Sequence, residues 1–265
     1  METSRRNFIK KSSLAGVALA SVPSFGFHII KKPIEKETIL GHGDYQYKLV
    51  KDWAQMSSVH TPLLNCHEMQ MDSKGRLIMI GDHPSNNIII FDKSGKVLET
   101  WGTAYPGGHG LTIINEGGED FLFLADSGWF LGKSVKWIKH NSRISKTKTD
   151  GRVLFDIGDP QTIGVYKPGE SFCPTEVAIG PNGDIYVADG YGMSRIIQYD
   201  YNGQYIRHWG GSDNPDKNYQ LKSAHGVAID YRDKNNPMVI CTSRNQTSFK
   251  WFTLDGKYVK TFENQ

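Results

Sequence analysis

Along residues 172–210 apolar and polar positions alternate in short bursts. An apolar run at 177–179 is followed by a Pro-Asn-Gly turn and a second run ending at Asp189. A polar break, a run at 196–199, an Asn-Gly turn and a last run closing on Trp209 complete the stretch. Apolar or alternating runs of about four to eight residues, punctuated by Gly, Asn and Asp, mark an antiparallel meander. Four such strands in about forty residues have the length of one blade of a β-propeller.

The same rhythm returns three more times. Residues 65–102 carry N-C-H-E-M-Q-M-D, R-L-I-M-I-G-D and N-I-I-I-F-D and close on Trp101-Gly102. Residues 107–158 carry G-H-G-L-T-I-I, F-L-F-L-A-D, V-K-W-I-K-H and G-R-V-L-F-D-I-G. Residues 223–262 carry A-H-G-V-A-I-D, P-M-V-I-C-T-S-R and F-K-W-F-T-L-D-G-K-Y-V-K-T-F. An all-β fold of four-stranded antiparallel blades, with four copies recognisable, is therefore expected from 45 to 265. The second copy is the longest. Its basic stretch 140–151, poor in apolar side chains, reads as an inserted solvated loop or hairpin tip, with contact to an anionic partner as the lesser alternative. The alternating stretch 45–53 reads as one strand, of the kind that supplies the outer edge of a closing blade.

Aligned on their first strands, the four copies place His67, His109, Thr175 and His225 at one repeat position. The innermost strand of each blade lines the channel of a propeller, so residues distant in sequence should meet at its mouth. At the end of each second strand stand Asp82, Asp126, Asp189 and Ser243, which read as turn caps rather than as catalytic groups.

Composition narrows the function classes. With 265 residues, 38% hydrophobic and 22% charged, the chain can bury a sizeable core. A net charge of +3, without a basic stripe on the repeats, argues against nucleic-acid binding. Cys66, Cys173 and Cys241 have no metal-type spacing and read as small buried residues, one disulfide remaining open in an oxidising compartment. Residues 4–10, S-R-R-N-F-I-K, precede an Ala-rich apolar stretch to residue 27 that is too short and interrupted to span a membrane. This order is that of a twin-arginine export signal, so 1–27 are expected to be a signal peptide and 28–44 a linker. The expected destination is the bacterial periplasm or the outside, without a stable membrane anchor.

The motifs P-T-E-V-A-I, D-I-Y-V-A-D, R-I-I-Q-Y and the Gly turns resemble the NHL family of β-propellers. More specifically, C-P-T-E-V-A-I, Y-V-A-D-G-Y-G-M-S-R-I-I-Q-Y, G-Q-Y-I-R-H-W-G, A-H-G-V-A-I and T-S-R resemble the catalytic propeller of the peptidyl-α-hydroxyglycine α-amidating lyases. The resemblance spans about 45–262 and is strongest from Cys173 to Arg244. It implies a six-bladed propeller with a zinc ion on three channel histidines, cleaving a carbinolamide to an amide and glyoxylate. Carried onto this chain, it implies His109 and His225 as zinc ligands, Tyr191 as the catalytic tyrosine and Arg244 as the arginine beside it. It also implies the Leu111 carbonyl as a ligand of a structural calcium.

Three departures stand out. The family's third zinc histidine lies in a sixth blade, whereas four copies are present here, and either the chain is a truncated six-bladed protein or His67 acts as third histidine in a smaller or oligomeric ring. The first account is the one expected. Asp82 stands where the family has an arginine. Gly192 stands where the family has the cysteine that pairs with the position of Cys173, which excludes that disulfide.

The residue types suit the chemistry. A metal held by neutral imidazoles with an open position is a Lewis acid toward a carbinol hydroxyl. A phenol, whose pKa in water is about 10, becomes a usable base only beside a cation. The expectation is thus an exported zinc-dependent carbon–nitrogen lyase acting on a small peptide-like substrate. The alternative is a non-catalytic NHL propeller binding a peptide, glycan or protein, and a calcium-dependent lactonase-type propeller is less favoured because its ring of carboxylate and Asn ligands is not found. The oligomeric state is left open.

Overall fold

The computed structural model describes residues 37–132 and 134–263, so the signal peptide and most of the linker expected at the N-terminus lie outside the described residues. The chain divides into two units, one ending at Lys51 and one starting at Asp52. In the first, β1 (Ile39–His42) pairs with β2 (Tyr45–Lys48) in a two-stranded antiparallel hairpin. The single strand expected over 45–53 is thus cut short at Lys48, because its partner is the adjacent 39–42 segment rather than the edge of a blade.

The second unit is a β-propeller of four antiparallel four-stranded blades. Blade 1 is β3 (Cys66–Met71), β4 (Leu77–His83), β5 (Asn86–Phe91) and β6 (Val97–Trp101). Blade 2 is β7 (Gly108–Glu116), β8 (Glu119–Asp126), β11 (Arg143–Lys148) and β12 (Val153–Ile157), with a separate hairpin of β9 (Trp129–Leu131) and β10 (Trp137–Lys139) before its third strand. Blade 3 is β13 (Glu176–Ile179), β14 (Ile185–Ala188), β15 (Arg195–Tyr199) and β16 (Tyr205–Gly210). Blade 4 is β17 (Ala224–Asp230), β18 (Met238–Ser243), β19 (Ser248–Thr253) and β20 (Tyr258–Glu263). The innermost strands β3, β7, β13 and β17 neighbour one another in that order.

Blades 2 and 3 are apolar on both faces because each packs between two neighbours. Ile78, Ile80, Ile88 and Ile90 of blade 1 meet Leu111, Leu122 and Leu124 of blade 2. Phe123, Ala125 and Ile144 of blade 2 meet Val177, Ile185, Val187 and Ile197 of blade 3. Ala178, Tyr186, Ala188 and Ile196 of blade 3 meet Val227, Val239, Cys241 and Phe252 of blade 4. The outer face of blade 1, Met79, Ile89 and Phe91, is covered by Trp53, Met56 and Leu63 from an irregular segment. On blade 4 the corresponding face leaves Phe249 40% and Phe262 56% exposed.

The insertion in blade 2 lies elsewhere than the composition suggested. Residues 143–148, expected in a solvated loop, form β11, the buried third strand, while the extra element is the β9–β10 hairpin. Short Ser and Thr side chains fit between packed sheets, and Ile144, Ser145 and Thr147 are fully buried. The ammonium of Lys146 is buried too, paired with Glu116 at 2.8 Å and lying over the rings of Phe121, Phe123 and Tyr201. A buried charge matched in this way gives no apolar signal in the sequence.

The residues that end the second strands act as caps. Asp82 accepts from the Asn65 amide at 2.9 Å, Asp189 from the Cys173 amide at 2.7 Å and Ser243 from the Lys222 amide at 2.8 Å. Each thereby pins the chain entering the first strand of its own blade. All three cysteines are free thiols, Cys173 and Cys241 buried as expected and Cys66, expected buried, exposed at the start of β3. Among the described residues no helix is long and apolar enough to cross a membrane.

Candidate functional site

Three imidazoles meet at the mouth of the channel, as the repeat register requires. The rings of His67 and His109 stack with centroids 4.2 Å apart, and those of His109 and His225 meet edge to face at 4.9 Å. Tyr191 joins them from the loop after β14. Its hydroxyl lies 3.3 Å from His109 Nε2 and 3.0 Å from His225 Nε2. The Arg244 guanidinium stands 5.3 Å from the centre of the Tyr191 ring.

The loop that presents Tyr191 is held in place by local hydrogen bonds. The carboxylate of Asp189, fully buried, accepts from the amides of Cys173 and Met193 and from the Tyr166 hydroxyl. Gly190 then lets the backbone run against blade 4. A Cβ there would meet Thr175 Oγ1 at 2.4 Å and the His225 Cα at 2.8 Å. Tyr191 itself is 42% exposed, at the opening of the site.

Hydrogen bonds set the tautomer of His109. Its Nδ1 lies 2.8 Å from the carbonyl of Thr175, a pure acceptor, so Nδ1 carries the hydrogen and Nε2 keeps its lone pair. Burial pushes the His109 pKa down to about 3, helped by the nearby His67, His225 and Arg244 against the Thr175 bond. Burial, then Arg244 and His67, push His225 down to about 4. Both rings are neutral near pH 7, the form in which imidazole ligates a metal.

His67 has a different partner. Its Nε2 faces Asp82 at 3.4 Å, and Asp82 also accepts from the Asn65 side chain at 2.7 Å. Burial alone would raise the Asp82 pKa, but the bonds from His67 and Asn65 outweigh it and hold the carboxyl below its ordinary range. The ring of His67 is therefore turned toward a carboxylate, not toward the oxygen that His109 and His225 share. Among the described residues no group of three or more His, Cys, Asp or Glu is placed to hold a metal ion. Two imidazoles sharing one vertex do fit as part of a zinc shell, with Tyr191 at the vertex and solvent beyond it.

The expected calcium position fits less well. The Leu111 carbonyl accepts from Gln70 Nε2 at 2.7 Å, and the Leu111 amide donates to Glu68 at 2.7 Å. Beside them Glu176 has its pKa raised by burial and by the adjacent Glu68, which keeps it protonated. A calcium ion there would have to displace the Gln70 amide from the Leu111 carbonyl. Neither this network nor Thr175 follows from residue type. For Thr175 a signal existed, its place at the repeat position that holds histidine in the other three blades.

Residues 173–199 match the model of the NHL repeat family. Over 140 residues the chain is 31% identical to peptidyl-alpha-hydroxyglycine alpha-amidating lyase 1 of Drosophila melanogaster, covering 51% of this chain and 23% of that protein. Over 240 residues it is 24% identical to human NHL repeat-containing protein 3, covering 80% of this chain and 65% of that one. The chain thus spans less than two thirds of the length of either relative. A streptogramin B lyase structure superposes with a TM-score of 0.54 at 15% identity, over 77% of this chain and 56% of that one, a likeness of fold alone. The chain is a β-propeller that matches the NHL repeat over residues 173–199 and is similar in sequence to the peptidyl-α-hydroxyglycine α-amidating lyases.

Proposed function

We propose that the protein is an exported, zinc-dependent lyase of the amidating type, cleaving the C–N bond of a carbinolamide to an amide and glyoxylate. The observation that carries this reading is the convergence of two neutral imidazole Nε2 atoms and a phenol hydroxyl, with a guanidinium on the phenol ring. His109 and His225 would hold the metal, and when bound the zinc supplies Lewis acidity toward the substrate hydroxyl.

The chain's own groups do the rest. Tyr191 takes the hydroxyl proton of N–CH(OH)–COO⁻, the C–O bond becomes a carbonyl, and the C–N electron pair leaves with the nitrogen. The proton held by Tyr191 then passes to that nitrogen, which gives the amide and restores the phenolate that began the cycle. Arg244, beside the Tyr191 ring, stabilises the phenolate that accepts the proton and is regenerated at the end. Export through the twin-arginine pathway rests on residues 4–10 and places this chemistry outside the inner membrane.

The test is the zinc content of purified mature protein, with and without His225→Ala, followed by glyoxylate release from an α-hydroxyglycine peptide. Zinc that leaves with the substitution, and glyoxylate formed only by the unsubstituted protein, are expected. Unchanged zinc in the variant sinks the lyase reading and leaves a binding propeller.

A further inference from the structure

We infer that Thr175 is a positioning residue that holds the His109 imidazole and the His225 backbone at once, an inference that rests on the proposed zinc site and adds to it. Four contacts meet on this fully buried residue. Its carbonyl accepts from His109 Nδ1 at 2.8 Å, and its hydroxyl donates to the His225 carbonyl at 2.7 Å. The same hydroxyl lies 3.3 Å from the Ala188 carbonyl, but it has one proton and the shorter contact takes it.

The two remaining contacts are approaches that only glycine permits. A Cβ on Gly110, next to His109, would meet the Thr175 carbonyl at 2.7 Å, and one on Gly190, next to Tyr191, would meet the Thr175 hydroxyl at 2.4 Å. Blade 2 therefore closes on the backbone side of Thr175 and the Tyr191 loop closes on its side chain. Through these contacts one residue of blade 3 links the chain segments carrying His109, Tyr191 and His225.

The repeat register explains why a threonine stands there. Blades 1, 2 and 4 carry His67, His109 and His225 at this position, and a fourth imidazole would crowd the same mouth. A short side chain leaves room, and its hydroxyl grips the backbone of the next blade. An outer partner that orients a metal-ligating histidine changes metal affinity by about 10–100-fold when removed. Thr175→Val preserves shape and removes the donor to the His225 carbonyl, loosening the position of that residue.

The experiment compares zinc dissociation constants, by chelator competition, for the unsubstituted protein, Thr175→Val and Thr175→Ser. Zinc binding weakened about 10–100-fold in the valine variant and restored to within about 3-fold by serine is expected. Equal affinity in all three overturns the inference, as does a serine variant as weak as valine. Nitrogen-15 histidine spectra of the unsubstituted, metal-free protein read the same geometry without a variant that has to fold: His109 should show hydrogen on Nδ1 and a bare Nε2, and the opposite tautomer overturns the inference. If the unsubstituted protein binds no zinc, the site reading fails instead, and the His109 tautomer still decides on Thr175.

Discussion

His67 and His109 occupy the same repeat position in adjacent blades, and their rings stack at 4.2 Å, yet their surroundings assign them different work. His109 gives its Nδ1 hydrogen to a neutral backbone carbonyl and keeps Nε2 for the oxygen it shares with His225. His67 directs its Nε2 at the Asp82 carboxylate and is tied to the frame of blade 1. Equivalent positions in a repeat fold need not be equivalent groups. The second partner of each imidazole decides whether its Nε2 faces the shared Tyr191 oxygen or the wall of its own blade.

The sharpest way to break this contrast is catalytic. Tyr191→Phe removes the hydroxyl on which His109 and His225 converge, and glyoxylate formation should fall about 10²–10⁴-fold, the range of a lost general base, with zinc retained. Asp82→Asn, on the His67 side, should leave turnover within about 5-fold, since a surviving polar partner still orients the ring. Steady-state assays of both variants check this, and equal losses would erase the distinction. Metal affinity comes next. His109→Ala should weaken zinc binding by at least about 100-fold, beyond what loss of an outer partner costs, while His67→Ala should change it by no more than about 3-fold. A large loss in His67→Ala would make it the third ligand after all.

The smallest effect is on stability against pH, and it has one sign but a different pH window on each side. In the metal-free protein His109 and His225 are pushed down to about 3 and about 4 from an ordinary 6.5. Below pH about 6.5 the unfolded chain takes up protons that the folded chain refuses, so stability falls from there until His225 and then His109 are protonated in the fold. Asp82 is held below its ordinary 3.8. Its contribution is present above that value and disappears as pH drops through the lower, folded value. Urea midpoints measured against pH should show the upper descent shrink in a His109→Gln, His225→Gln protein and the lower one shrink in Asp82→Asn. Both substitutions acting in one window would contradict the assignment.

The blades were legible from alternation and Gly turns because each strand pairs with a neighbour in sequence, so a local pattern carries the pairing. Convergence of the histidines was legible from their shared register. The third strand of blade 2 was not, since Lys146 is buried by pairing with Glu116 from β7, thirty residues away. The cover over blade 1 was not either. Trp53, Met56 and Leu63 sit in irregular backbone without a period, and their burial follows from the exposed face they fill.

Residue order alone therefore settles the four repeated blades, most of their turns and the repeat position of every channel histidine, because these depend on contacts inside a hairpin. The tautomer of His109, the turn of His67 toward Asp82 and the hub at Thr175 were decided only when blades packed together. The bonds that make them, His109 to Thr175 across 66 residues and to Tyr191 across 82, join segments with no local relation. Folding a linear repeat into a ring of sheets brings such groups within hydrogen-bond reach, and there geometry rather than residue type selects which lone pair faces the channel.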